Sequence, residues 1–148
     1  MNNVRNDIGK NDRPWPIFEL SDFEQVKIMY EHFGFIERGQ QIPHLLDDNL
    51  TNFKLHHLHE ELTELQTAYA NKDLPEVADA LVDLVVVVMG LAAMHGLPWE
   101  DLFDRVHQAN MSKQVGTGKR GHTVDLIKPE GWKKPDLSKV LLNHGWVP

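Results

Sequence analysis

The sequence predicts an all-α fold: a bundle of four main helices, a short helix near the C-terminus and no sheet. Three observations carry this expectation. Apolar residues recur at helical spacing in successive segments. Capping and stop signals fall at the ends of those segments. The 148 residues, 41% hydrophobic and 25% charged, suit one globular domain with one sizeable core. Residues 1–16 are polar and charged and contain Pro14 and Pro16, so a flexible N-terminal arm is expected ahead of a single domain over 17–148.

Ser21-Asp22-Phe23-Glu24 fits a capping box, with Ser21 capping and Glu24 reaching back. Phe23, Val26, Met29, Tyr30 and Phe33 then recur at helical spacing, and Gly34 is the stop. Phe35 to Asp48, with Gly39 and Pro43, reads as a connecting loop. The second helix is expected over about Leu50 to Ala70, with Leu55, Leu58, Leu62 and Leu65 as its apolar stripe. Asp73-Leu74-Pro75-Glu76 is a strong start for the third, because Asp73 caps and Pro75 is tolerated in a first turn. That helix extends to about His95, with Gly96 as its stop. Val85 to Val88 would also suit a buried strand, but cap, length and stop agree on a helix. Leu97-Pro98-Trp99-Glu100-Asp101 opens the fourth, whose core face is expected to hold Leu102, Phe103, Val106 and Ala109. Gly116, Gly118 and Gly121 mark a flexible loop with Lys119 and Arg120, and Pro135-Asp136 opens the last helix, through about Leu142.

The second and third helices carry the chemistry. Glu60 and Glu61 stand four and three residues before Glu64, and Glu76, Asp79 and Asp83 follow at i, i+3 and i+7. In an antiparallel hairpin turning at Lys72, Glu64 lies level with Asp79 or Ala80, and Glu61 level with Asp83. Four carboxylates would then converge. Leu84 to Met89 is apolar on every face, so that helix should be buried. Carboxylates beside a core are costly unless paired or bound to a cation, and Leu55 to Ala70 holds no Lys or Arg. Oxygen ligands suit Mg²⁺, with Mn²⁺ an alternative. The bland reading of the first cluster alone is a solvated helix face.

Composition excludes other classes. A net charge of −7 argues against a broad nucleic-acid-binding surface. With no cysteine there is neither a disulfide nor a thiolate metal site. Residues 1–16 hold no apolar signal-peptide core, and the longest apolar run, Leu84 to Met94, is too short for a bilayer. A cytoplasmic location without membrane contact is the expectation. His59-Glu60-Glu61-Leu62-Thr63 is no zincin motif, because Thr63 stands where a second His is required. No Glu-x-x-His pair suits a di-iron bundle, and Gly118-Lys119-Arg120 is no P-loop. His56, His57 and His59 read as rim histidines.

Asn110-Met111-Ser112-Lys113 is a second constellation. Its amide and ammonium could hold phosphate oxygens beside metal-bound carboxylates, although Asn and Lys are also common at helix ends. Glu60-Glu61-x-x-Glu64, Asp79-x-x-x-Asp83, Asn110-Met111-Ser112-Lys113 and the tail Lys128-Pro129-Glu130-Gly131-Trp132 together resemble the MazG-like all-α nucleotide pyrophosphohydrolases, relatives of the phosphoribosyl-ATP pyrophosphohydrolases. The likeness covers roughly Val26 to Leu137. It implies a four-helix-bundle-type fold and Mg²⁺-dependent hydrolysis of nucleoside triphosphates to monophosphate and pyrophosphate. It also implies a homodimer or homotetramer with sites near subunit contacts, and a role in cleansing the nucleotide pool, with deoxyuridine or deoxycytidine triphosphate as the guess. One departure is that Ala80 falls where the family's Glu is usual, counting back from Gly96.

The expected roles follow. Glu61, Glu64, Asp79 and Asp83 hold metal, with Glu76 a weaker candidate, and Glu60 activates water. Asn110, Lys113 and Lys128 contact phosphates, and Trp132 covers the nucleotide. Two alternatives stay open: a non-catalytic helical interaction module, and a pyrophosphohydrolase for a different pyrophosphate-linked nucleotide.

Overall fold

The chain was analysed as a computed structural model that describes residues 20–39, 41–118 and 124–148. The expected N-terminal arm therefore lies outside the described residues, as do Lys119, Arg120 and Gly121. Helix α1 spans Asp22–His32, and its capping box is complete. The Ser21 hydroxyl accepts from the Glu24 amide at 3.2 Å, and the Glu24 carboxylate accepts from the Ser21 amide at 2.8 Å. Such a cap contributes about 1 kcal/mol. Gly34 leaves the helix at φ +75°, a backbone conformation that side chains resist.

Helix α2 runs Asp48–Asn71, longer than expected at both ends, because Asp47 accepts from the Leu50 amide at 2.9 Å and caps it. Lys72 ends it in the left-handed region at φ 56°. Asp73 then caps α3, Leu74–Met94, by accepting from the Glu76 amide at 3.3 Å. The tight turn folds α3 back along α2, and this pair makes the most extensive contact between elements. Helix α1 packs on α3 as well. Phe23, Ala92 and Ala93 form one part of the core, and Val26, Tyr30 and Met94 the other.

Two close approaches fix this three-helix unit. A Cβ on Gly90 of α3 would overlap the Tyr30 ring, so only glycine lets α1 sit so near. Gly96, at φ +65°, lets the chain turn against Gln41 and Ile42. There His44 donates its amide to the His95 carbonyl at 3.0 Å, and His95 Nδ1 lies 2.7 Å from the His44 carbonyl oxygen.

Helix α4, Trp99–Met111, starts against α1, where Trp99 stacks on Phe23 at 5.6 Å and 15°. The Ser21 hydroxyl also donates to Glu100 at 2.9 Å. Beyond that start α4 packs mainly on α5, Leu137–Asn143, which Asp136 caps by accepting from the Lys139 amide. His144 Nε2 lies 2.7 Å from an Asp101 carboxylate oxygen across that contact.

The structure corrects five expectations. A small sheet exists: β1, Gln114–Gly116, pairs antiparallel with β2, Asp125–Ile127. The glycine-containing stretch begins in strand, because β2 supplies a pairing partner across the connection, and runs this short carry no alternation to read. The face of α4 is not buried. No α4 residue is buried, and Phe103 and Val106 are exposed, because among the described residues nothing covers that side.

Helix α3 is not buried all round either. Leu81, Val82, Val85 and Val88 are exposed, since α1 and α2 cover only one side of it. The stripe on α2 is shifted: Lys54 and Ala68 are its buried residues, while Leu55 and Leu62 are exposed. Finally, α3 as a whole is long and apolar enough to cross a membrane by length and composition, which the shorter run Leu84 to Met94 concealed. A core helix passes the same test, and α3 packs on α1 and α2.

Candidate active site

The carboxylates sit on the facing helices of the α2–α3 hairpin. Glu61 is the most enclosed of the α2 acids: its side chain is 14% exposed, against 56% for Glu60. One helical step separates the two, about 100° around the axis, so they lie on adjacent edges. Glu61 Oε1 is 3.2 Å from His57 Nε2, and Glu60 Oε1 is 3.3 Å from His56 Nε2, each one turn away along α2. Among the described residues, Glu61 Oε2 is buried with no hydrogen-bond partner. An unmet buried acceptor costs about 1–3 kcal/mol, so this oxygen is suited to an incoming donor or cation.

Glu64, Glu76 and Asp79 line one cleft of about 290 Å³ at the turn end of the hairpin, together with Asn71 and Asp73. All three acids are exposed there, while Asp83, one turn further along α3, is half-buried. The expected convergence is therefore looser than hairpin counting implied. Among the described residues no three His, Asp or Glu side chains are gathered closely enough to hold a metal ion. Hairpin registry sets backbone level, whereas side-chain rotamers and electrostatic repulsion set where the oxygens go. The donor set still fits a hard divalent cation: it is all oxygen, it faces across two helices, and it includes one orphaned buried atom.

The residues after α4 form a second cluster. Trp132 Nε1 donates to the Ala109 carbonyl at 3.0 Å, which pins the indole beside the end of α4. Lys128 Nζ lies 4.7 Å and Lys113 Nζ 5.9 Å from that ring's centre. The structure thus brings Lys113, Lys128 and Trp132 together, with Asn110 next to Ala109 in the chain and exposed. Two ammonium groups on one indole, both near a helix end, form a cationic rim that can receive phosphate oxygens.

A family model described as phosphoribosyl-ATP pyrophosphohydrolase matches residues 30–110, more than half of the chain. The chain belongs to that family. A comparison with curated proteins returned no match. The match contains the whole α2–α3 hairpin with all six candidate carboxylates, and it ends at residue 110, ahead of Lys113, Lys128 and Trp132. As a member of the phosphoribosyl-ATP pyrophosphohydrolase family, the chain is a hydrolase of phosphoanhydride bonds in a pyrophosphate-linked nucleotide.

One group escaped the sequence reading. Lys54 is buried at 7% exposure on α2, with its ammonium over the rings of Tyr30, Phe35 and Phe53 at 5.1, 5.7 and 5.6 Å. Burial pushes its pKa below the ordinary lysine value, and burial likewise raises Tyr30 above the ordinary tyrosine value. The signal was present in the helical phase. Lys54 stands four residues from both Leu50 and Leu58, where an apolar residue would continue the inward stripe.

Proposed function

We propose that this member is a MazG-like nucleoside triphosphate pyrophosphohydrolase, acting on ribo- or deoxyribonucleotides to give monophosphate and pyrophosphate, as an enzyme that cleanses the nucleotide pool. The observation that carries the reading is the orphaned Glu61 oxygen within the opposed carboxylates of the family-matching hairpin. Glu61, Glu64, Asp79 and Asp83 are the residues that would hold Mg²⁺, with Glu76 as the alternative on the turn side. The bound cation would neutralise triphosphate charge and polarise a phosphoryl oxygen.

The chain's own residues do the rest. Glu60 orients a water molecule and takes its proton as the oxygen adds to phosphorus and the bridging P–O bond breaks. Lys113 and Lys128 draw the phosphate oxygens towards the α4 end, and Asn110 donates its amide. Trp132 covers the ligand from the side that its hydrogen bond to Ala109 fixes. We also propose a homodimer or homotetramer. Support comes from the open apolar faces of α3 and α4, where Val82, Val85 and Phe103 are exposed.

The test is product analysis across dUTP and the eight common nucleoside and deoxynucleoside triphosphates with Mg²⁺ or Mn²⁺. Stoichiometric monophosphate and pyrophosphate from at least one is the expected outcome. A second reading, favoured by the description of the matching family, is cleavage of a different pyrophosphate-linked nucleotide. Turnover of phosphoribosyl-ATP with none of the triphosphates would establish it in place of the first. Inertness towards both would leave a non-catalytic helical module.

A further inference from the structure

Lys54 belongs to neither the carboxylate cluster nor the Trp132 rim. An ammonium carries three donors. Among the described residues its hydrogen-bond partner is the Tyr30 hydroxyl, at a long 3.5 Å, and no carboxylate pairs with it. A buried donor with unmet capacity is costly unless something else meets it. The Tyr30 ring cannot retreat, because Gly90 receives it on one side and Phe35 meets it edge-on at 5.4 Å on another.

The surroundings of Lys54 identify what would meet that demand. Phe33, Phe35 and Phe53 leave 63%, 58% and 62% of their surface open. Phe33 and Phe35 lie 6.2 Å apart, tilted by 37°. Open aromatic faces beside a buried donor suit a flat ring that carries a hydrogen-bond acceptor. A second copy of the chain packed here through apolar contact would seal the ammonium away without an acceptor. Position along α2 narrows the choice further. Lys54 and Glu61 are seven residues apart, two turns on one helix face, or about 10.5 Å. A nucleotide whose phosphates lie at the carboxylates extends its base in that range.

We infer that Lys54, Phe35 and Phe53 form a nucleobase subsite selecting bases with an exocyclic carbonyl oxygen. Uracil, thymine, cytosine and guanine offer such an acceptor. Adenine offers ring nitrogens, and the amino donor beside N1 and N7 opposes an ammonium. The inference deepens the nucleotide reading above and rests on it, since it takes the phosphate end to lie at the hairpin carboxylates.

Calorimetric binding of dUMP and dAMP with Mg²⁺ tests the subsite without requiring turnover. Wild type should bind dUMP about tenfold more tightly than dAMP, the ratio that one unmet hydrogen bond produces. Lys54→Met, close in shape, should abolish that preference while keeping a cooperative melt. Phe35→Ala and Phe53→Ala should weaken both ligands alike. Equal wild-type affinities, a preference that survives Lys54→Met, or no binding of either ligand overturns the subsite. Pyrophosphate release from dUTP is measured alongside. Release without the Lys54-dependent preference sinks the subsite alone. The preference with no release from dUTP or any of the eight common triphosphates sinks the proposed reaction and sustains the subsite.

Discussion

The Lys54 ammonium lies 3.5 Å from the Tyr30 hydroxyl and 5.1 Å from the centre of the same ring, where α1 meets α2. Each group disfavours its charged form there, through burial. Because Lys54 loses its proton earlier in the folded chain, the unfolded state binds more protons between that point and the ordinary value of 10.5. Stability therefore rises with pH across this window. Tyr30 acts oppositely. The folded chain keeps its proton beyond the ordinary value of 10.0, so the stability Tyr30 contributes is lost as pH rises above it. Lys54→Met should melt higher than wild type at pH 7, by about 1–3 kcal/mol. The gap should narrow as pH approaches 10. A gap independent of pH between 7 and 10 would show that burial of the charge is not its cause.

The contact between Gly90 and Tyr30 predicts a different failure. Gly90→Ala places a methyl group inside the Tyr30 ring, and helix propensity gains only about 1 kcal/mol from the same change. Overpacking costs typically 1–3 kcal/mol, and here it falls on a ring held by three helices. The variant should melt below wild type, and Gly90→Ala with Tyr30→Leu should recover part of the loss. A single variant as stable as wild type would mean that the ring relaxes freely.

Asp83→Asn should lower metal-dependent pyrophosphate release by at least about 100-fold, since even supporting groups around a metal cost about 10- to 100-fold. Glu76→Gln should cost less than about tenfold. Glu76 shares the turn-side cleft with Glu64 and Asp79, so the comparison is a sharp one. Equal losses would move the site one turn towards Lys72.

Carboxylates facing across the hairpin repel one another without a counter-ion. Replacing Asp79 and Asp83 together by Asn should raise the melting temperature in chelator and abolish the Mg²⁺ response. Wild type should gain about 2.7 kcal/mol when Mg²⁺ stands at 100 times its Kd. A double variant that melts lower than wild type in chelator would point to a solvated acidic face.

Light scattering should return two or four times the chain mass of 17.0 kDa. Val85→Asp on α3 or Phe103→Asp on α4 should move that mass towards the monomer by placing charge on a covered face. A wild-type monomer at micromolar concentration would mean that these faces stay open.

The sequence by itself determined the helices, because caps, stops and helical spacing act over a few residues. Ser21 with Glu24, Asp73 and Asp136 each cap the helix they announce. It also placed the six carboxylates on the hairpin, since that needs only the spacing along α2 and α3 and the short turn between them. The tertiary structure decided which face of each helix is covered. Leu55 and Leu62 are exposed while Lys54 is buried, because α1 approaches α2 from the side where Tyr30 meets Gly90. It also decided the strand pair. Gln114–Gly116 acquires its structure from Asp125–Ile127, across a gap that no local signal spans. The oxygen of Glu61 left without a partner among the described residues, and the ammonium of Lys54 left among rings, are likewise consequences of packing. A side chain's partners come from other helices, and the spacing along its own helix does not contain them.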